Sequence, residues 1–171
     1  MCIKYYYYYY SICRRQKDYQ KLVDSQLFIR ERLTTLGPDL SACMFLITRG
    51  CKIRLKGYTN WFEQTINGYQ VEYPEELPIS YEPGYYVEAI DMSDSKIVYE
   101  GLTNIRNLVY LKYLNISYCM EVDVWCMDRI TGEFTDSLEY LDLSGCRVSN
   151  QCLHNYTEFY GNLTYQNFFE I

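Results

Sequence analysis

The chain has no apolar stretch approaching the roughly 20 residues that a membrane-spanning helix needs. Its best run, Cys43-Met-Phe-Leu-Ile-Thr48, is too short and reads as core; any membrane association is expected to be peripheral, with no transmembrane segment. Positive charge is also scarce. Sixteen Lys and Arg stand against 22 Asp and Glu, the net charge is −6, and no basic stripe runs along the chain apart from Arg14, Arg15 and Lys17. Sequence-independent nucleic-acid binding rests on many cations facing phosphates, so no nucleic-acid partner is expected. Histidine is limited to His154, on which any Ser/His/Asp or Cys/His device would depend. Its place in a degraded repeat reads as surface. There is no glycine-rich phosphate loop, and the adjacent acids Glu75-Glu76 read as a solvated loop. The chain is expected not to be an enzyme, with no catalytic residue and no cofactor.

A secretory signal is missing as well. Lys4 is followed by Tyr5–Tyr10 and then Ser11-Ile-Cys-Arg-Arg15, without the apolar segment and cleavage site of a signal peptide. Residues 1–17 carry no acid and a few bases, a loose fit to a mitochondrial presequence. The eight cysteines therefore lose the secreted disulfide reading. Cys119, Cys126, Cys146 and Cys152 are spaced too widely for the close pairs of a zinc site, so no metal is expected. A Cys119–Cys146 disulfide is conceivable on neighbouring strands, but buried packing is the preferred account. The glycosylation-type sequences at Asn115, Asn155 and Asn162 mean little without a secretory route.

What the chain does have is a repeat. Val87-Glu-Ala-Ile-Asp-Met-Ser93, Leu111-Lys-Tyr-Leu-Asn-Ile-Ser117 and Leu138-Glu-Tyr-Leu-Asp-Leu-Ser144 align with each other, and Leu163-Thr-Tyr-Gln-Asn-Phe-Phe169 begins in register and decays. The starts lie 24, 27 and 25 residues apart, inside the leucine-rich-repeat range of about 20–29. Apolar residues fill the first, fourth and sixth places, and Cys119 and Cys146 follow at equivalent places. Each unit offers a strand and then a helical segment, neither of which buries its apolar face alone; stacking supplies the shared core. The expected fold is α/β: a short, horseshoe-like leucine-rich-repeat β–α solenoid with a small N-terminal helical region. Gln166 would occupy an inward place in the fourth strand, where a buried amide needs partners, and Phe168 and Phe169 would leave apolar surface uncovered, as in a truncated repeat.

With the fourth and sixth places inward, the third and fifth point outward. The third places hold Ala89, Tyr113, Tyr140 and Tyr165; the fifth hold Asp91, Asn115, Asp142 and Asn167. A tyrosine column beside an Asp/Asn column suits a protein partner, in particular a basic segment. The alternative is that cross-strand tyrosine pairs merely stabilise the sheet. The partner-binding candidates are Asp91, Tyr113, Asn115, Tyr140 and Asp142, together with Asp123 and Trp125, for which gap-filling between repeats is the competing reading.

The expected organisation is a low-complexity leader at 1–13, a helical region with a short strand at 14–66, a Pro/Tyr-rich linker at 67–86, and repeats at 87–171, the last incomplete. A helix is predicted over 14–36, ended by Gly37-Pro38. Asp39 is predicted to cap a second helix that Gly50 terminates, and Cys51–Leu55 to form an edge strand.

From about Leu36 to Leu153 the chain resembles the ATP synthase subunit s-like family, also called distal membrane-arm assembly component 2. The stretches that carry the resemblance are Leu36-Gly-Pro-Asp39, Ile53-Arg-Leu-Lys-Gly57 with Trp61, Tyr73-Pro-Glu-Glu-Leu-Pro78, Val87–Ser93, Tyr99-Glu-Gly-Leu102, Val122-Asp-Val-Trp125 and Asp136–Cys146. Val124 departs from the family's usual second Asp before the tryptophan. The resemblance implies a mitochondrial protein on the matrix side of the inner membrane. It also implies protein partners, namely membrane-arm subunits or assembly factors of respiratory complex I, and no catalytic residues. An ATP synthase coupling role is the further possibility within the family. A leucine-rich-repeat substrate-recognition subunit of a ubiquitin ligase is the alternative outside it.

Overall fold

The computed structural model describes residues 2–67, 70–147 and 164–166, and the side chains of 14–64 and 72–147. Helix α1 spans Cys2–Ser25 and α2 spans Arg30–Ile47. The helix predicted over 14–36 is thus interrupted at 26–29. The reason is Gln26, which is buried with 2% of its surface exposed. Its Nε2 donates to Lys96 O at 2.7 Å, and its Oε1 accepts from Val98 N–H at 3.1 Å. The chain leaves the helix so that this amide can reach the repeat region, and Arg49 Nη2 donates to the carbonyl of Ser25 where α1 ends.

Gly37-Pro38 ends one helical segment as expected and a second begins after it, so α2 is two helices meeting at a kink. Gly37 sits at φ 74°, ψ 176°, a geometry that favours glycine. Asp39 does not cap a helix with its side chain. Its Oδ1 instead accepts from Val87 N–H at 2.8 Å, pinning α2 to the start of a strand 48 residues away. Burial pushes this carboxyl up and the Val87 bond opposes that shift. After Ile47 the chain closes through Gly50, at φ 81°, with Cys51 N–H donating to Leu46 O at 3.1 Å.

Strand β1 (Lys52–Leu55) runs antiparallel to β4 (Val87–Asp91), pairing Lys52 with Asp91 and Arg54 with Ala89. Its other side is bridged by Phe62 through two backbone bonds with Ile53. β2 (Thr65–Asn67) and β3 (Gln70–Glu72) form a separate antiparallel pair that overlaps the stretch expected as linker. β4, β5 (Tyr113–Asn115), β6 (Tyr140–Asp142) and β7 (Thr164–Gln166) are parallel, giving the sheet order β1-β4-β5-β6-β7. Between them lie a 3-10 segment, Tyr99–Ile105, and helix α3, Val124–Phe134. The architecture is mixed α/β.

Strands β4, β5 and β6 pair as the repeats align: Ile90 with Leu114 with Leu141, and Asp91 with Asn115 with Asp142. β7 is different. Tyr140 pairs with Thr164, Leu141 with Tyr165 and Asp142 with Gln166, one residue off the expected alignment. A one-residue slip exchanges the two faces. Gln166 falls in the Asp/Asn column and Tyr165 in the leucine column, so the register does not demand the buried amide that the sequence suggested. Asn167, Phe168, Phe169, Cys152, His154, Asn155 and Asn162 lie outside the described residues.

The core runs unbroken from α2 (Phe45, Leu46, Ile47) through Ile53 and Leu55 to Ile90, Met92, Leu114, Ile116, Leu141 and Leu143, with Met127, Ile130 and Phe134 of α3 closing it. No described helix is long and apolar enough to cross a membrane. A second set of polar bonds ties the helices to the repeats: Asn104 Nδ2 donates to Gln26 O at 2.9 Å and to Gly101 O at 3.1 Å. Asn104 Oδ1 accepts from Arg32, whose Nε donates to Ser41 Oγ at 3.2 Å. Removing one member of a buried pair strands the other, at about 1–3 kcal/mol. Gln26→Ala is therefore expected to lower unfolding stability by about 2 kcal/mol or more, because it also leaves a void. Gly101→Ala should do likewise, since its new Cβ would collide with Gln26 Oε1. Urea titrations in which both variants kept the parent midpoint would show that this junction carries no stability.

Candidate partner-binding face

The outward places of the strands form two rows. The first runs Arg54, Ala89, Tyr113, Tyr140 across paired positions. Tyr113 and Tyr140 stack in parallel, 4.6 Å between centroids at 0°. Ala89 is fully buried, although its place is outward. It lies between Arg54 and Tyr113, and both of these touch Trp61: the Arg54 guanidinium lies 5.4 Å from the indole centroid, and Trp61 meets Tyr113 edge-on at 6.2 Å. Trp61 thus continues the tyrosine row where alanine interrupts it. The repeat alignment does not contain Trp61, so the sequence carries no signal for its part in this face.

The second row runs Lys52, Asp91, Asn115, Asp142. Each of its three Asp/Asn side chains holds the turn after its strand. Asp91 Oδ1 accepts from Ser93 N–H at 3.1 Å, Asn115 Oδ1 from Ser117 N–H at 2.9 Å, and Asp142 Oδ1 from Ser144 N–H at 2.9 Å. These are Asx turns, in which the side chain mimics a backbone turn. The fifth places therefore have a structural duty that the sequence reading did not assign. The Asp-x-Ser and Asn-x-Ser spacing was the signal for it. One oxygen of each carboxylate is engaged in this way. Burial, then Tyr140, Asp91 and Asp142, raise the Tyr113 phenol, with Arg54 opposing. Burial and Asp142 raise Tyr140, so both rings stay neutral donors at physiological pH.

Around these rows run paired charges: Lys52–Glu63 at 2.8 Å, Arg54–Glu88 at 3.6 Å and Lys112–Glu139 at 2.7 Å. Exposed pairs of this kind add little stability. They neutralise the basic end of the face, where Lys52 also stands opposite Asp91.

Asp123 is a helix cap. Its Oδ1 accepts from Trp125 N–H at 3.1 Å and from Cys126 N–H at 3.0 Å, opening α3. Trp125 does not fill a gap between repeats, since 69% of its surface is exposed. Asp123 and Trp125 therefore stand apart from the strand rows, on the helical side of the repeat.

The described repeat cysteines, Cys119, Cys126 and Cys146, are buried free thiols. Cys119 Sγ donates to Met92 O at 3.0 Å and Cys146 Sγ to Ile116 O at 2.9 Å, each reaching the preceding strand. Ser95 holds the equivalent place in the first repeat, with its Oγ 3.4 Å from Cys119 Sγ. Among the described residues no cluster of three or more His, Cys, Asp or Glu converges on a metal position.

This face and fold can be set beside known proteins. No family model matches the chain. Over 134 residues, 77% of its length, it is 35% identical to a fruit-fly protein (Drosophila melanogaster) named distal membrane arm assembly component 2. It is 29% identical over 118 residues, 68% of its length, to mouse mitochondrial ATP synthase subunit s (Mus musculus), and 27% identical over 101 residues, 59% of its length, to the bovine protein of that name (Bos taurus). The chain is homologous to the distal membrane arm assembly component 2 and ATP synthase subunit s proteins. It spans about half the length of these relatives, 45%, 54% and 46% respectively.

The buried thiols set a pH dependence. Burial is the largest cause in each case: it lifts Cys51 and Cys126 to about 12 and Cys146 to about 11, against about 8.5 for a free thiol. The folded chain therefore holds protons that the unfolded chain releases. This contribution is complete below the unfolded value and is lost as pH rises toward the folded ones. Urea midpoints are expected to be level up to about pH 8 and to fall by about pH 10. A midpoint that held or rose over that interval would contradict the burial of these groups.

Proposed function

We propose that this chain is a non-enzymatic protein-binding factor that serves assembly of the distal membrane arm of respiratory complex I, in mitochondria and on the matrix side of the inner membrane. The observation that carries the reading is the 35% identity to the distal membrane arm assembly component over 77% of the chain. The stacked parallel strands at repeat spacing support a short leucine-rich-repeat solenoid, a fold whose concave strand face commonly binds partners. Stacked Tyr113 and Tyr140, buttressed by Trp61, supply rigid aromatic area beside the Asp91–Asn115–Asp142 row. A basic segment of a membrane-arm subunit or of another assembly factor complements that surface. Solenoid geometry alone assigns no target; the relatives' names supply it. The names of the mouse and bovine relatives favour a second reading, an ATP synthase coupling role.

Affinity purification of the tagged chain from mitochondria separates the two. Complex I membrane-arm subunits are expected in the eluate, and recovery of ATP synthase subunits instead would favour the second reading. The paired variant Asp91→Asn with Asp142→Asn removes charge but keeps the turn acceptors, as Asn115 does naturally. Together with Tyr140→Ala, it is expected to cut capture by roughly tenfold. Undiminished capture by a folded triple variant would remove the strand face from the proposal.

A further inference from the structure

The connection between α1 and α2 leaves three large apolar side chains in water. Gln26 turns inward to Lys96 and Val98, and the residues after it belong to neither helix. Leu27 is 52% exposed, Phe28 39% and Ile29 49%. Single exposed apolar residues are ordinary, but three in succession at a bend are not explained by packing. Arg30, also exposed, opens α2 directly after them.

Phe28 and Arg30 stand on one side of a cavity of about 480 Å³ between the start of α2 and the 3-10 segment, with Arg106 on the other. Its lining contains these two arginines and no acid. Two further guanidiniums are bonded to its walls. Arg32 donates to Ser41 Oγ at 3.2 Å and to Asn104 Oδ1, and Arg129 donates to Thr103 Oγ1 at 2.9 Å; Ser41, Thr103 and Asn104 all line the cavity. Burial and then the charge of Arg49 hold Arg32 below its ordinary value, so cation stands against cation on this side of the molecule. Arg30 makes no ion pair among the described residues. Arg106 Nε lies 3.8 Å from Glu133 Oε2, too far for a hydrogen bond, and the same carboxylate accepts from Asn107 N–H at 3.2 Å. Asp24 and Glu31, the acids next to this connection along the chain, do not line the cavity.

The chain as a whole carries −6, so this gathering of arginines is local. A guanidinium fork matches phosphate, two N–H groups to two oxygens. A free phosphate ester would account for the arginines but not for the apolar run beside them. A phospholipid accounts for both. We propose that the cavity holds the phosphate of an anionic phospholipid headgroup, with Leu27, Phe28 and Ile29 inserted at the surface of the bilayer. Peripheral anchors of this kind add buried apolar area to the attraction of cations for anionic lipid. The inference does not rest on the complex I reading and uses no residue of the strand rows, so either can fail alone.

Co-sedimentation of the full chain with vesicles is the test. Mixed vesicles of phosphatidylcholine and phosphatidylglycerol are expected to carry the chain down, and vesicles of phosphatidylcholine alone to leave it in solution. Arg30→Gln with Arg106→Gln should weaken association by roughly tenfold or more. Phe28→Ser with Ile29→Ser keeps every cation and should weaken it by about as much. Arg14→Gln with Arg15→Gln removes the same charge from α1 and should leave it within about twofold. Circular dichroism and the urea midpoint check that each variant is folded. Undiminished association in either of the first two variants, or an equal loss in the third, would overturn the proposal. So would failure to bind the mixed vesicles, even if calorimetry shows the chain taking up glycerol phosphate or a phosphoserine peptide, because the arginines would then serve a free phosphate ester or a protein partner.

Discussion

A parallel strand ladder needs a closed beginning, because its first strand exposes one row of backbone groups and the end of its apolar core. Here β1 pairs that edge antiparallel, Phe62 bridges β1 in turn, and α2 covers the core end with Phe45, Leu46 and Ile47. What fixes α2 against the ladder is polar and buried. Asp39 accepts from Val87 at the first residue of β4, and Gln26 reaches Lys96 and Val98 where the first repeat turns toward its 3-10 segment. Asn104 and Arg32 bind the same junction from the other side. Apolar packing would tolerate small slides of one layer over the other. Directional bonds with no water to replace them do not, so the strand rows are held in one position relative to the N-terminal elements, including Trp61.

Within the ladder each place in the repeat has its own physical task. The fourth and sixth places fill the core, the fifth folds its side chain back onto the seventh to make the turn, the eighth takes the left-handed conformation, and the ninth, where it is cysteine, sends its thiol toward the preceding repeat. These tasks are met locally, so the third place carries no structural obligation beyond stacking. That is why tyrosines can stand there, and why alanine at the first repeat is tolerated once Trp61 covers it.

The sequence made the ladder legible because one spacing coordinated several residues at once: Ile90, Leu114 and Leu141 at one place, and Asp91, Asn115 and Asp142 at another. It also brought out Gly50 as a helix end and Cys51–Leu55 as an edge strand, of which Lys52–Leu55 forms β1. The N-terminal junction was less legible. Gln26 sits at a helical spacing among Leu22, Val23 and Leu27, and periodicity reads it as one more residue on that face. Its partners are about 70 residues away and exist only after folding. The same holds for Asp39, whose place before an apolar run mimics a cap. The last strand misled for another reason: Leu163-Thr-Tyr copies the opening of a repeat, but pairing follows the ladder and shifts by one residue. In the candidate site, the tyrosine row was readable and its continuation in Trp61 was not, because a long-range edge contact leaves no period.

The strand face and the helical side of the repeat differ in how their order is maintained, and that difference bears on binding. On the strand face the rings are fixed by one another: Tyr140 on Tyr113, Tyr113 against Trp61, Trp61 under Arg54. The acids beside them are fixed by their turns. A partner meeting this face orders few side chains that are not already ordered, so little of the contact energy is lost to entropy. On the helical side, Tyr118 is fixed by its backbone and by Gly145 rather than by other rings, and Trp125 projects from the first turn of a capped helix. Its indole is the least constrained of these groups and has the most surface still to bury. Under the proposed function, a strand face ordered in this way suits reading the shape and charge of an extended segment.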